Sequence, residues 1–168
     1  MIKKFKTLFF VKSSLISLYS ALTLPIPFIS IKELKIISIL AFVLGLFLIV
    51  NITSDYVETS KDKISYKTTF ISNLIGNKSW EVFWKDIKLI KSSPTSQGSQ
   101  VYYFMTFKEQ KFLVPQRVED LQELLSLIFE RTGIKTEGMN YISPMWTYKL
   151  LTFLSLIMVI GELSFFSF

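Results

Sequence analysis

Residues 36–54 (IISILAFVLGLFLIVNITS) run 19 positions without a charge. At about 1.5 Å per residue, a helix of that length reaches roughly 28 Å, close to the bilayer's hydrocarbon thickness of about 30 Å. The run therefore predicts a membrane-spanning helix. Residues 13–31 are also free of charge, although Ser13, Ser14, Ser17 and Ser20 make them more polar and Pro25 and Pro27 predict a kink near their end. A third run, residues 143–168, is long enough to span but carries Lys149 and Glu162. These lie about 20 Å apart along a helix, so Lys149 is expected to snorkel. Tyr141, Trp146 and Tyr148 at one end, and Phe165, Phe166 and Phe168 at the other, suit anchoring at both interfaces.

Between the second and third runs the pattern alternates. YVETS, the turn Lys61-Asp62 and KISYKTTF, with Ile64, Tyr66, Thr68 and Phe70 on one face, predict a hairpin. Gly76-Asn77 marks the next turn. In KSWEVFW, alternation sends Trp80, Val82 and Trp84 to one face and Glu81 and Phe83 to the other. DIKLIKSS, a loop at 94–99, QVYYFMTF, the turn KEQK and the short run FLVP bring the predicted strands to six. After Pro115 the period becomes helical, with Val118, Leu121, Leu124, Leu125 and Ile128 on one stripe. Glu119, Asp120 and Glu123 load the first turns, Arg131 the last, and Gly133 stands at the C-terminal cap position. The expected fold class is membrane α plus a small antiparallel β-barrel or half-barrel, closed by one amphipathic helix and followed by a further transmembrane helix. The expected segments are a helix hairpin at 1–54, a β domain at 55–135, a linker at 136–142 and a last span at 143–168.

Composition agrees: half of the 168 residues are apolar and the mean hydropathy is +0.42. The net charge of +6 would fit nucleic acid, but its distribution argues against that partner. Residues 1–35 carry six Lys against one Glu, whereas 55–143 carry twelve Lys or Arg against eleven Asp or Glu. The excess is a juxtamembrane cluster, which orients helices and attracts anionic headgroups. By the positive-inside rule the N-terminus and residues 55–143 are expected in the cytoplasm or on an equivalent side such as a stroma, with the C-terminus outside. The basic MIKKFK start resembles a signal peptide, but no small-residue cleavage site follows and a second span comes at once, so the first run is expected to be retained.

The chain contains no Cys and no His. Thiol nucleophiles, His-based triads, haem-His ligation and Cys/His zinc sites are therefore out of reach. The remaining candidates, Ser92 and Ser93 beside Lys91 and the pair Glu119/Asp120, sit where a loop and a helix start are predicted. The six glycines are isolated and build no phosphate loop. The expectation is a non-enzymatic protein without cofactor or metal. Glu162 is the candidate for intramembrane function, such as proton or cation handling in a small transporter or channel component. Trp80 and Trp84 are expected in a core rather than on a base-stacking surface, because a stacking platform needs exposed rings on a net basic face.

The order WEVFWKDIKLI, a Ser/Gly loop, VYYFMTF, a turn and FLVPQRVEDLQELLSLIFERTG resembles the bacterial pleckstrin-homology-like domains, including those that follow two N-terminal membrane helices. Trp84-Lys85-Asp86-Ile87 matches a recurring W-x-D-I segment of that family, and Val114-Pro115 its step before the final helix. The arrangement is also similar to the photosystem I assembly factors of cyanobacteria and chloroplasts, from which it departs by its extra C-terminal span. A full pleckstrin-type barrel has seven strands, one more than the sequence predicts. These resemblances imply docking of a membrane-protein partner or of lipid headgroups, in a bacterial inner membrane or a thylakoid, with a homo-oligomer as a further arrangement. Lys85, Lys88, Lys108 and Lys111 are the expected rim charges of the docking surface.

Overall fold

The computed structural model describes residues 2–167. In chain order the elements are β1 (Lys3–Lys6), α1 (Phe9–Thr23), α2 (Pro25–Ile29), α3 (Lys32–Ile52), β2 (Tyr56–Thr59), β3 (Lys63–Lys67), α4 (Phe70–Leu74), β4 (Trp80–Phe83), β5 (Ile87–Pro94), β6 (Gln100–Thr106), β7 (Lys111–Leu113), α5 (Leu121–Thr132) and α6 (Met145–Ser167). They divide into two compact units. One comprises the residues up to Leu8 with Ser54–Ser143, and the other Phe9–Thr53 with the residues from Pro144 on.

In the β unit the strands form two antiparallel sheets, ordered β1-β2-β3-β4 and β5-β6-β7. The expected mixture of helices and antiparallel sheets is present, but among the described residues the sheets do not close into a barrel. β4 and β5 follow each other in sequence but belong to different sheets, because a 3-10 turn at Trp84–Asp86 redirects the chain between them. Trp84 anchors the turn. It is buried, and its indole Nε1 donates to the Ser60 carbonyl at 3.1 Å. The two sheets and α5 enclose one core, to which Val57, Ile64 and Val82 come from the first sheet, Phe104 from the second and Leu121, Leu124, Leu125 and Ile128 from α5. Trp80 packs edge-on to Phe104 and tilted against Phe112, with centroids 6.0 and 5.4 Å apart, and so ties the sheets together. Fully burying a side chain such as Phe104 or Leu121 contributes about 1.5–3 kcal/mol. From Leu121 on the helix stripe therefore matches expectation, as does the Gly133 cap, at φ 69° with its N–H on the Phe129 carbonyl at 2.8 Å.

Four sequence expectations are corrected. KKFK, read as basic flank within segment 1–54, is strand β1, which pairs with β2 from Lys3↔Thr59 to Lys6↔Tyr56 and buries Phe5 in the core. Thr68 and Phe70 do not extend β3, since Thr69 caps α4 by accepting the Ser72 N–H at 3.2 Å. α5 starts at Leu121, and Val118 instead lies in an isolated bridge to Thr7. Residues 136–142 are not a free linker, because Met139 is buried in the core and Gln116 Nε2 donates to the Asn140 carbonyl at 2.7 Å.

Among the described residues, three helical segments are long and apolar enough to cross a membrane: Phe9–Ile29, Lys32–Ile52 and Met145–Ser167. The first breaks at Leu24, where Pro25 and Pro27 lie at the start of α2, as the prolines predict. Lys12 falls inside α1, which begins four residues ahead of the expected start. α1 and α6 run parallel: Lys149 Nζ lies 5.0 Å from the Phe10 ring, Ser13 and Thr152 hydroxyls meet at 3.4 Å, and Phe28 stacks on Phe166 at 4.7 Å. Ser14, Ser17, Ala21 and Ser155 are buried in this unit, so small residues let helix backbones approach. α3 buries no residue fully and presents Ile36, Val43 and Phe47 outward, an arrangement suited to hydrocarbon.

Candidate functional site

Three residues after the end of α3, Asp55 organises one end of the β unit. Its carboxylate accepts from the Tyr66 hydroxyl at 3.0 Å, the Thr69 backbone N–H at 2.9 Å and the Ser72 hydroxyl at 2.6 Å. Its own carbonyl accepts from the Thr7 hydroxyl at 2.8 Å. The chain leaving β1, the chain entering β2 and the start of α4 are thus fixed to one buried residue. Burial first, then the Asp55 charge and the hydrogen bond to it, push the Tyr66 phenol well above its ordinary range, with Arg117 pulling the other way. Tyr66 stays a neutral donor.

Beside this network a cleft of about 510 Å³ opens. Tyr66 and Trp80 line it from the first sheet, and Phe112 and Val114 from the second sheet and the chain that follows it. Lys78, Lys111 and Arg117 bring three cations to it, against Asp55 as the one lining carboxylate. Among the described residues those three cations form no ion pair, and Asp55 is committed to its three donors. Gln116, also lining the cleft, is buried. Its Nε2 donates to the Gln100 and Asn140 carbonyls, while its Oε1 has no partner among the described residues. The arrangement fits a group that combines negative charge with an apolar body: cations supply attraction, and aromatic walls exclude water.

Of the predicted rim lysines, Lys111 lines this cleft. Lys85 and Lys108 lie at one end of the second sheet, where the Phe107 N–H donates to the Asp86 carbonyl at 3.1 Å. Lys88 sits at the register shift between Ile87 and Leu89. All four are exposed. Glu162 lies in α6 with its Oε2 shielded and without a hydrogen-bond partner among the described residues. Ser92 and Ser93 belong to β5, and Asp120 lies in the left-handed region ahead of α5. Sequence reasoning did not single out Asp55, Lys78 or Arg117. The one available signal was Asp55's place as the first charge after a long apolar run, followed by the polar Thr68, Thr69 and Ser72.

No family model matches the chain. It is similar to the uncharacterized protein slr0269 of Synechocystis sp., with 29% identity over 147 residues, which cover 84% of this chain and 74% of that protein.

Proposed function

We propose that the protein is a membrane-anchored docking module whose cleft receives an acidic segment of a membrane-protein partner. The observation that carries this reading is the convergence of Lys78, Lys111 and Arg117, without ion pairs among the described residues, on an aromatic-walled cleft whose one carboxylate is internally committed. We read the β unit as pleckstrin-homology-like. In support, β1 supplies the seventh strand that the sequence lacked, and α5 covers the core of a four-stranded and a three-stranded antiparallel sheet. We read this unit and the N-terminus as cytoplasmic or stromal and the end of α6 as lying on the other side, with the lysine placement in support.

The test is a photo-crosslinking residue at Leu113, which lines the cleft, introduced into the tagged full chain in its native membrane. Adducts should map to an acidic segment of one membrane protein and disappear when Lys78, Lys111 and Arg117 are all changed to Glu. Reversal of Lys85, Lys88 and Lys108 should leave them intact; loss there instead would move docking to the predicted rim. Adducts to lipid alone would replace the protein partner with headgroups.

Two narrower readings each have an observation behind them. The arrangement's resemblance to photosystem I assembly factors narrows the role to assembly of a membrane complex, which predicts that the crosslinked partner is an incompletely assembled subunit. The shielded Glu162 Oε2 favours a transporter component. On that reading Glu162→Gln abolishes function, whereas a docking module tolerates it.

A further inference from the structure

The segment between β3 and β4 carries a feature that the cleft does not use. In α4 the one fully buried residue is polar, with Ile71 half-buried beside it, while two large apolar residues face outward together with Asn73. Ser72 is buried, while Phe70 and Leu74, four residues apart and so on the same side, are 78% and 71% exposed, and Ile75 follows at 62%. A water-facing helix of this sequence would bury its phenylalanine and leucine and expose its serine. The observed orientation is held in place by Asp55, which takes the Ser72 hydroxyl at 2.6 Å and the Thr69 N–H at 2.9 Å, and by the Thr69 cap on the Ser72 N–H.

The chain dictates where this helix can be. Asp55 follows Ile52, the last residue of a span-length helix, by three positions, which an extended chain covers in about 10 Å. Thr7, which donates to the Asp55 carbonyl, precedes Phe9, the start of another span-length segment, by two. The residue that locks α4 is therefore tethered within about 10 Å of the end of one such segment and about 15 Å of the start of another. Lys78 follows the exposed apolar group, is itself exposed, and forms no ion pair among the described residues. Apolar side chains backed by a cation are the composition of a helix that lies at a lipid interface.

We propose that α4 is an interfacial anchor: Phe70, Leu74 and Ile75 insert into the headgroup and acyl boundary of the bilayer that holds the chain. The inference rests on the reading that Phe9–Ile29, Lys32–Ile52 and Met145–Ser167 cross a membrane, but not on the identity of the cleft's ligand. Its consequence is a β unit fixed at two kinds of attachment, covalent through the spans and hydrophobic through α4, so that the cleft beside Asp55 is held at headgroup level.

The natural absence of cysteine makes the test direct. Single spin labels at Phe70→Cys and Leu74→Cys, at Lys61→Cys in the turn at the far end of the β2–β3 hairpin, and at Val43→Cys in the middle of α3 are placed in the full chain. The chain is reconstituted in phosphatidylcholine and phosphatidylglycerol vesicles, and collision with oxygen is compared with collision with a water-soluble nickel chelate. The expected result is an oxygen-to-nickel ratio at positions 70 and 74 severalfold above that at 61 and below that at 43. A ratio at 70 and 74 equal to that at 61, with 43 lipid-exposed, overturns the anchor and leaves the spans standing. A water-exposed label at 43 overturns the spans and the anchor together. Labels at 70 and 74 shielded from both probes mean that protein covers α4, which overturns lipid as its occupant.

Discussion

Ser72 donates its hydroxyl to the Asp55 carboxylate across 2.6 Å, joining the start of α4 to the residue that leads from α3 into β2. Ser72 also accepts from Asn77 Nδ2 at 3.2 Å, so the bond extends to the turn that precedes β4. Asp55 is thus a junction of three backbone segments rather than a reactive group, and removing it leaves the Tyr66 hydroxyl, the Thr69 N–H and the Ser72 hydroxyl without their acceptor.

Asp55→Ala is expected to destabilise the β unit by about 3 kcal/mol, since a hydrogen bond to a charged group contributes about 1.5–3 kcal/mol and buried donors left unpaired add to the loss. Asp55→Asn keeps the shape and one acceptor oxygen and should cost less. Denaturant unfolding of the full chain in detergent, followed by tryptophan fluorescence, ranks the two; equal losses would mean that the retained shape contributes nothing and that the full carboxylate decides.

Tyr66 gives the unit an alkaline limit. Its phenol is raised in the folded state, chiefly by burial and then by Asp55, above the ordinary value near 10 that it regains on unfolding. As pH rises, the unfolded chain loses that proton first. The contribution is therefore complete below about 10 and declines as pH climbs from there toward the folded value. Tyr66→Phe should lower stability at neutral pH and flatten the alkaline decline. An unchanged alkaline slope in the variant would assign the decline to other groups.

Much of the β unit was legible in the sequence because its determinants are local. Period-two alternation found Val82 and Trp84 in the core, and period 3.6 with a C-terminal glycine found α5. What escaped was set by partners distant in sequence. KKFK has the composition of a charged flank, and only pairing with residues some fifty positions away makes it a strand. Thr68-Thr69-Phe70 continues an alternating pattern, yet Asp55 draws the Thr69 N–H and the Ser72 hydroxyl out of it. The cleft was illegible for the same reason. Lys78, Lys111 and Arg117 come from separate segments that only the two sheets bring to one opening.

β1 also makes the β unit discontinuous in sequence, with two span-length segments inserted between adjacent paired strands. Phe5 is 3% exposed and packs in the core, so Phe5→Ala should cost about 3–5 kcal/mol although it lies beyond two membrane-length helices from the rest of the unit. Lys3 pairs with Glu123 nearby, both half-exposed, and Lys3→Ala should change stability by less than about 1 kcal/mol. Limited proteolysis of the full chain separates them. Cleavage within residues 55–143 should accelerate for Phe5→Ala and stay at the parental rate for Lys3→Ala; equal rates for both variants would mean that β1 is dispensable.

In the helical unit, Gly45 in α3 faces Tyr19 in α1 so closely that an added methyl would overlap the tyrosine ring and hydroxyl. The same ring stacks on Phe42 at 5.8 Å, and its hydroxyl donates to the Phe42 carbonyl at 3.2 Å. Glycine here serves close approach and not unusual backbone geometry, the use that membrane helices make of small residues. Gly45→Ala must displace Tyr19, and overpacking of this kind costs about 1–3 kcal/mol. Tyr19→Ala removes the obstacle, so the double variant should recover part of the loss caused by Gly45→Ala alone. A thermal-unfolding cycle in detergent over the parent, both single variants and the double variant measures the coupling. Strictly additive losses would show that the two helices do not meet through this pair.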